Sequence, residues 1–159
     1  MKIKNLMIRI SALVVFIFTL IIINNILEYK SPHGINQARA FYAQPKNSID
    51  VLALGTSHVH CGINTGVLWE DYGIAAYDFS AAEQPVWVTY YYLKEAYKYQ
   101  SPKVVVLDLF GLARFNEDYH YSWIEESIYG LRYSQNKMEM LKVAAGPENV
   151  YDYFPAFLN

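Results

Sequence analysis

An apolar run closes on Gly55-Thr56-Ser57, and His58 and His60 follow at once with a single valine between them. A hydroxyl on a tight turn is the nucleophile that acyl transfer requires, and an imidazole is its commonest proton acceptor. The same tripeptide equally suits a turn or a helix cap, where the hydroxyl only satisfies a backbone amide. A neighbouring side chain points away from its predecessor, so neither histidine is an obvious partner for Ser57 on sequence alone. "HVH" also resembles an alternating pair of metal ligands on an extended segment, but no third carboxylate stands nearby. His58 is therefore read as lining or capping the pocket, and no metal or other cofactor is expected. Cys61 lacks a cationic neighbour apart from these imidazoles and reads as a small buried hydrophobe.

The elements around the serine must explain its placement. "IDVLALG" (49–55) is continuously apolar, as a strand covered on both faces would be. Asn64 caps a helix over "TGVLWEDY" that ends at Gly73, and "IAAYDFS" (74–80) reads as a second strand. Gln84-Pro85 opens a long helix in which Val86, Tyr90, Leu93 and Tyr97 fall on one face, predicted to be buried, with Tyr91 and Tyr99 packing at its rim or on the membrane side. The helix stops at Ser101-Pro102, and "KVVVLDLFG" (103–111) is a third strand. Alternating strands and helices with short links predict a parallel sheet with right-handed crossovers. Its strand ends, at 55–58, 80–82 and 110–112, then converge on one crevice.

Beyond Gly111 the pattern weakens. "LARFNEDYHYSWIEES" is polar and aromatic, and Ser134 caps a helix over "QNKMEMLKVAA" ended by Gly146-Pro147. Asp118 and His120 could fold over the crevice but read as solvated, and Trp123 with Tyr119 to Tyr121 are the better candidates for glycan contact. Three parallel strands make a small sheet with uncovered edges, and the apolar "YDYFPAFLN" ends without a closing element. The expectation is an N-terminal part of a larger domain.

The front of the chain is different in kind. "ISALVVFIFTLIIINNIL" (10–27) carries no charge and follows Lys2, Lys4 and Arg9. It approaches the roughly 20 residues that cross a bilayer, and no signal-peptide cleavage pattern follows it. The basic residues place the N-terminus in the cytoplasm and everything from Glu28 outside it. The predicted organisation is an anchor at 1–28, a polar stalk at 29–48 containing a short helix over "INQARAFYA", and an α/β domain at 49–159. A net charge of −2 and 53% hydrophobic residues exclude a disordered chain and a basic nucleic-acid binder. The single cysteine excludes an internal disulfide framework.

"IDVLALGTSHVHCGIN", "YDFSAAEQP" and "PKVVVLDLFG" resemble the first three sequence blocks of the SGNH (GDSL-like) hydrolase superfamily. The likeness is closer to its membrane-anchored bacterial envelope branch, which includes alginate acetylation proteins and the D-alanine transfer protein of teichoic acid synthesis. It implies a three-layer αβα domain with a parallel, flavodoxin-like sheet, incomplete here, behind one transmembrane helix. Ser57 then matches the nucleophile, whose amide also serves the oxyanion hole, and Thr56, His58, Ser80, Ala81 and Ala82 fall in the oxyanion and pocket positions. Two departures stand out: Ser80-Ala81-Ala82 replaces the usual glycine donor, and Asp108 occupies the block that normally brings an asparagine. An ionised carboxylate cannot donate to an oxyanion. The family's Asp-x-x-His block does not follow Gly111, so the general base is expected beyond Asn159, and the chain by itself is expected to be inactive.

The implied activity is an extracytoplasmic serine esterase or O-acyltransferase on cell-envelope polysaccharide. The membrane is one partner and the acylated polymer another; in the transferase version a membrane-bound acyl donor protein is a third. The competing reading is a non-catalytic, membrane-anchored assembly protein that keeps the fold without the complete chemistry.

Overall fold

The computed structural model describes residues 2–27, 33–115 and 123–157, in two units. The first contains helix α1 (Lys2–Leu27), whose segment Ile3–Ile26 holds an 18-residue window with a mean hydropathy of 2.8. By length and composition α1 can cross a membrane: 26 residues at about 1.5 Å rise make a rod of about 39 Å.

The second unit is α/β. After α2 (Ile35–Phe41) come β1 (Val51–Gly55), α3 (Ser57–Gly62), α4 (Thr65–Tyr72), β2 (Ala76–Ser80), α5 (Val86–Ala96) and β3 (Val104–Leu107). Then follow α6 (Phe110–Arg114), α7 (Ile124–Ile128), α8 (Gln135–Ala145) and a 3₁₀ segment, Pro147–Phe157. Among the described residues the sheet has three parallel strands in the order β2-β1-β3. Gly55 lies opposite Ser80, and Leu54 opposite Leu107. The predicted parallel sheet and its strand order along the chain are therefore present.

Several ends are set as the sequence indicates. Asn64 accepts the amide of Val67 at 3.1 Å to start α4, and Gly73, at φ 65°, ends it. Ser134 accepts the amide of Lys137 at 3.1 Å to start α8. The third strand is shorter than the apolar run that signals it, because the Asp108 carboxylate accepts the amide of Phe110 at 2.8 Å and turns the chain into α6.

Leu52 and Leu54 of β1 and Phe79 of β2 face a core built with α2, α5, α7 and α8. Phe41 stacks on Phe79 with centroids 4.4 Å apart, the Tyr92 ring lies 4.5 Å from that of Phe79, and Tyr92 Oη donates to the Ser127 carbonyl at 2.9 Å. Part of the segment read as a stalk thus supplies core: Ile35, Ala38 and Phe41 are fully buried.

The long helix corrects one expectation. Its buried residues are Val88, Thr89, Tyr92, Glu95 and Ala96, whereas Tyr90 and Tyr97 are more than half exposed. A tyrosine ring can pack while its hydroxyl takes water, so a helix rich in tyrosine carries more than one plausible apolar stripe. Val104 and Val106, in register with Val51 and Ala53, are exposed, so β3 is not covered on both faces.

Candidate active site at the end of the central strand

Gly55 ends β1 at φ 143°, a conformation open to glycine, and the chain bends directly into α3. Thr56 is the cap of that helix: its side chain accepts the amide of His58 at 3.3 Å. Ser57 is the first helical residue, half-buried, and no hydrogen bond engages its hydroxyl or its amide among the described residues. The likeness of "HVH" to a pair of metal ligands supposes an extended segment; because the cap forms, His58 and His60 instead sit on a helix. Two residues apart on a helix they are about 200° apart, so the rings diverge and the pairing of both on one metal is lost. Among the described residues no group of three or more His, Cys, Asp or Glu has the arrangement to hold a metal ion. Cys61 is exposed rather than buried, since the helix turns it away from the sheet.

Each imidazole finds its own carboxylate. On the β3 side, Thr56 Oγ1 donates to Asp108 Oδ2 at 2.5 Å, and the Thr56 amide donates to the same oxygen at 3.2 Å. The hydroxyl proton is committed to the carboxylate, so His58 Nδ1, 2.9 Å from Thr56 Oγ1, is the donor in that contact. The His58 ring lies against Phe110 at 4.3 Å, and its Nδ1 is 3.9 Å from Asp108 Oδ2. Burial raises the Asp108 pKa, but the Thr56 hydroxyl, the Phe110 and Thr56 amides and His58 outweigh it and hold the carboxyl below its ordinary value. Asp108 is thus an anchor for the Thr56 turn.

On the β2 side, His60 Nδ1 is 2.8 Å from Asp78 Oδ2. Ser80 Oγ donates to Asp78 Oδ1 at 2.6 Å and lies 3.2 Å from His33 Nε2, which is therefore the donor of that pair. The His33 and His60 rings stack at 4.5 Å. Burial and the His60 imidazole lower the His33 pKa, against the opposing pull of Glu126 and Asp78. Gln37 Nε2 lies 3.4 Å from Asp78 Oδ2 and 3.0 Å from His60 Nδ1. A cleft of about 280 Å³ opens here, lined by His60, Cys61, Ile63, Asn64, Thr65 and Asp78.

The predicted residues gather as the topology requires, at the carboxyl ends of β1 and β2. Ser80 and Ala81 are buried, and the amides of Ala81 and Ala82 are in use: Ala81 donates to the Gly55 carbonyl at 3.3 Å and Ala82 to Glu126 Oε2 at 3.3 Å. Asp118, Tyr119, His120 and Tyr121 lie outside the described residues, while Trp123 is exposed. Sequence reasoning missed His33, Gln37, Asp78 and Glu126. Asp78 left a signal, a carboxylate inside an otherwise apolar strand; His33 and Gln37 were hidden in a segment without strong periodicity.

No family model, no curated protein and no solved structure matches the chain.

Proposed function

We propose that this chain is a membrane-anchored serine esterase or O-acyltransferase that acts on bacterial envelope polysaccharide outside the cytoplasm, through an acyl-enzyme on Ser57. One observation carries the reading: an unengaged serine hydroxyl stands at the carboxyl end of the central parallel strand, with a carboxylate-linked imidazole on either side. Open α/β sheets bind their ligands at that edge, and hydroxyl, imidazole and carboxylate are the groups of nucleophilic acyl transfer. The apolar length of α1 supports an anchor, and a polymer that cannot enter the cell suits an anchored outward-facing domain. The likeness of the strand-end blocks to SGNH hydrolases supports the same chemistry and the same fold.

A second reading, a non-catalytic assembly protein on this fold, has its own observation. The Ala82 amide, a second oxyanion donor only by the likeness of its block, already binds the Glu126 carboxylate, and Asp108 is an acceptor only. A fluorophosphonate probe separates the two. Labelling of the wild-type protein and none of Ser57→Ala supports the enzyme; equal failure of both supports the assembly role.

A further inference from the structure

We propose that the stacked imidazoles of His33 and His60 are a pH-operated latch, which holds the end of α3 against the segment entering α2 at neutral pH and releases it in acid. The latch stands on the contacts of the two rings and does not depend on Ser57 being a nucleophile.

Helix α3 buries little of itself. It is six residues long, and Val59 is the residue it buries. Its start is tied to β3 through Thr56 and Asp108. Its last turn is tied through His60, whose Nδ1 lies 2.8 Å from Asp78 Oδ2 and 3.0 Å from Gln37 Nε2, and whose ring stacks on that of His33. An element with so few buried apolar contacts opens at a lower cost than the domain unfolds.

In the neutral pair each ring has one nitrogen engaged as a donor and one that carries no proton. Asp78 Oδ2 takes the Nδ1 proton of His60, and Ser80 Oγ, whose own proton goes to Asp78 Oδ1, takes the Nε2 proton of His33. Acid therefore adds its protons at His60 Nε2 and His33 Nδ1. Among the described residues the charged groups that face the rings are Asp78 from β2 and Glu126 from α7. Gln37 from α2 and Ser80 from β2 are neutral, and Cys61, next to His60 on α3, is exposed.

One proton suits this arrangement, because an imidazolium beside Asp78 keeps every bond. A second puts two cations in rings 4.5 Å apart. The carboxylates are already engaged: Asp78 accepts from Ser80 and His60, and Glu126 Oε2 accepts the Ala82 amide and stays 3.8 Å from His33 Nδ1. The His33 side chain is 15% exposed against 48% for His60, so the cation at position 33 is the poorly solvated one. Burial and the His60 imidazole accordingly hold the His33 pKa down while the rings are stacked. A group that binds its proton more readily once released drives the release as the pH falls. As the rings part, the end of α3 leaves β2 and the cleft between His60 and Asp78 widens.

The test is amide hydrogen exchange of the full chain in detergent, corrected for the intrinsic rate, from about pH 7.5 to about pH 5. The Ile63 amide, which donates to the Val59 carbonyl at 3.0 Å, reads the end of α3. The Gln100 amide, which donates to the Ala96 carbonyl at 2.9 Å in a buried residue, reads global unfolding. Protection of Ile63 should fall by up to about tenfold per pH unit below 6.5, the limit for one proton taken up on release, with Gln100 the better protected at every pH. His33→Gln should leave the Ile63 protection flat. Ile63 protection that does not change down to about pH 5, or that equals Gln100 throughout, overturns the latch. So does a His33→Gln protein that responds to acid as wild type does. Should His33→Gln not fold, His60→Gln carries the measurement: flat Ile63 protection supports the latch, and a wild-type response to acid overturns it.

Discussion

A Cβ placed on Gly55 would come 2.4 Å from Cβ of Asp108, so the ends of β1 and β3 approach each other more closely than any side chain at position 55 permits. The contact lets the Thr56 amide and hydroxyl reach one carboxylate oxygen. Gly55→Ala has to escape both the clash and a φ of 143°, and the backbone strain alone is worth about 1–3 kcal/mol. Urea unfolding should show that loss.

Acid should act on the same anchor. The Asp108 carboxyl is held below its ordinary 3.8, so the folded state binds its proton less readily than the unfolded chain. Its contribution is present above 3.8 and is lost as the pH falls below that value toward the folded pKa. The urea midpoint of Asp108→Asn, followed from about pH 5 to about pH 2, should lack this part of the acid limb.

His33 predicts an earlier onset. Its pKa is lowered from 6.5, chiefly by burial, so the unfolded chain binds the proton more readily and stability falls as the pH drops below 6.5. His33→Gln should flatten the slope of unfolding free energy between about pH 6.5 and pH 5.

Lys137 gives the opposite experiment at alkaline pH. Its side chain is fully buried, Nζ donates to the Leu131 carbonyl at 2.8 Å, and burial pushes its pKa down to about 8. The unfolded lysine keeps its proton up to 10.5, so stability should rise with pH from about 8 toward 10. Above 10 the hydroxyls of half-buried Tyr42 and Tyr77 and of buried Tyr92, whose pKa values burial raises, oppose the trend. Lys137→Met should abolish the rise, as thermal melts at pH 8 and 10 will read.

Phe41→Ala should destabilise the α/β unit by about 3–5 kcal/mol, since a fully buried ring stacked on Phe79 is removed from a core that cannot close over it. A spacer between anchor and domain would tolerate the change with no shift in melting temperature.

The strands and capped helices were legible because their signals are local. Val51–Gly55 is a short run of apolar residues, Asn64 and Gly73 bracket α4, and Ser134 opens α8, each by chemistry within one turn of chain. The serine's station at a strand end followed from the same signals plus the geometry of parallel sheets. What did not follow was anything decided by a distant partner. Tyr90 and Tyr97 share a helical stripe with Leu93, but Phe79 and α8 select Tyr92 and Ala96 instead. His60 looked unpartnered because Asp78 is eighteen residues away, and a short helix, not an extended strand, decides which neighbours the two histidines meet.

Strand β3 pairs with β1 on one side, and its other edge has no strand beside it among the described residues. With Val104, Val106 and Leu107 exposed along it, that edge is a template for a fourth strand from any chain that supplies one. Lys103, at the head of the strand and ion-paired to Asp50 at 2.7 Å, is a charge that guards it. The property this confers is colloidal: in concentrated preparations, neutralising Lys103 should turn a clear solution cloudy well before it alters the melting temperature.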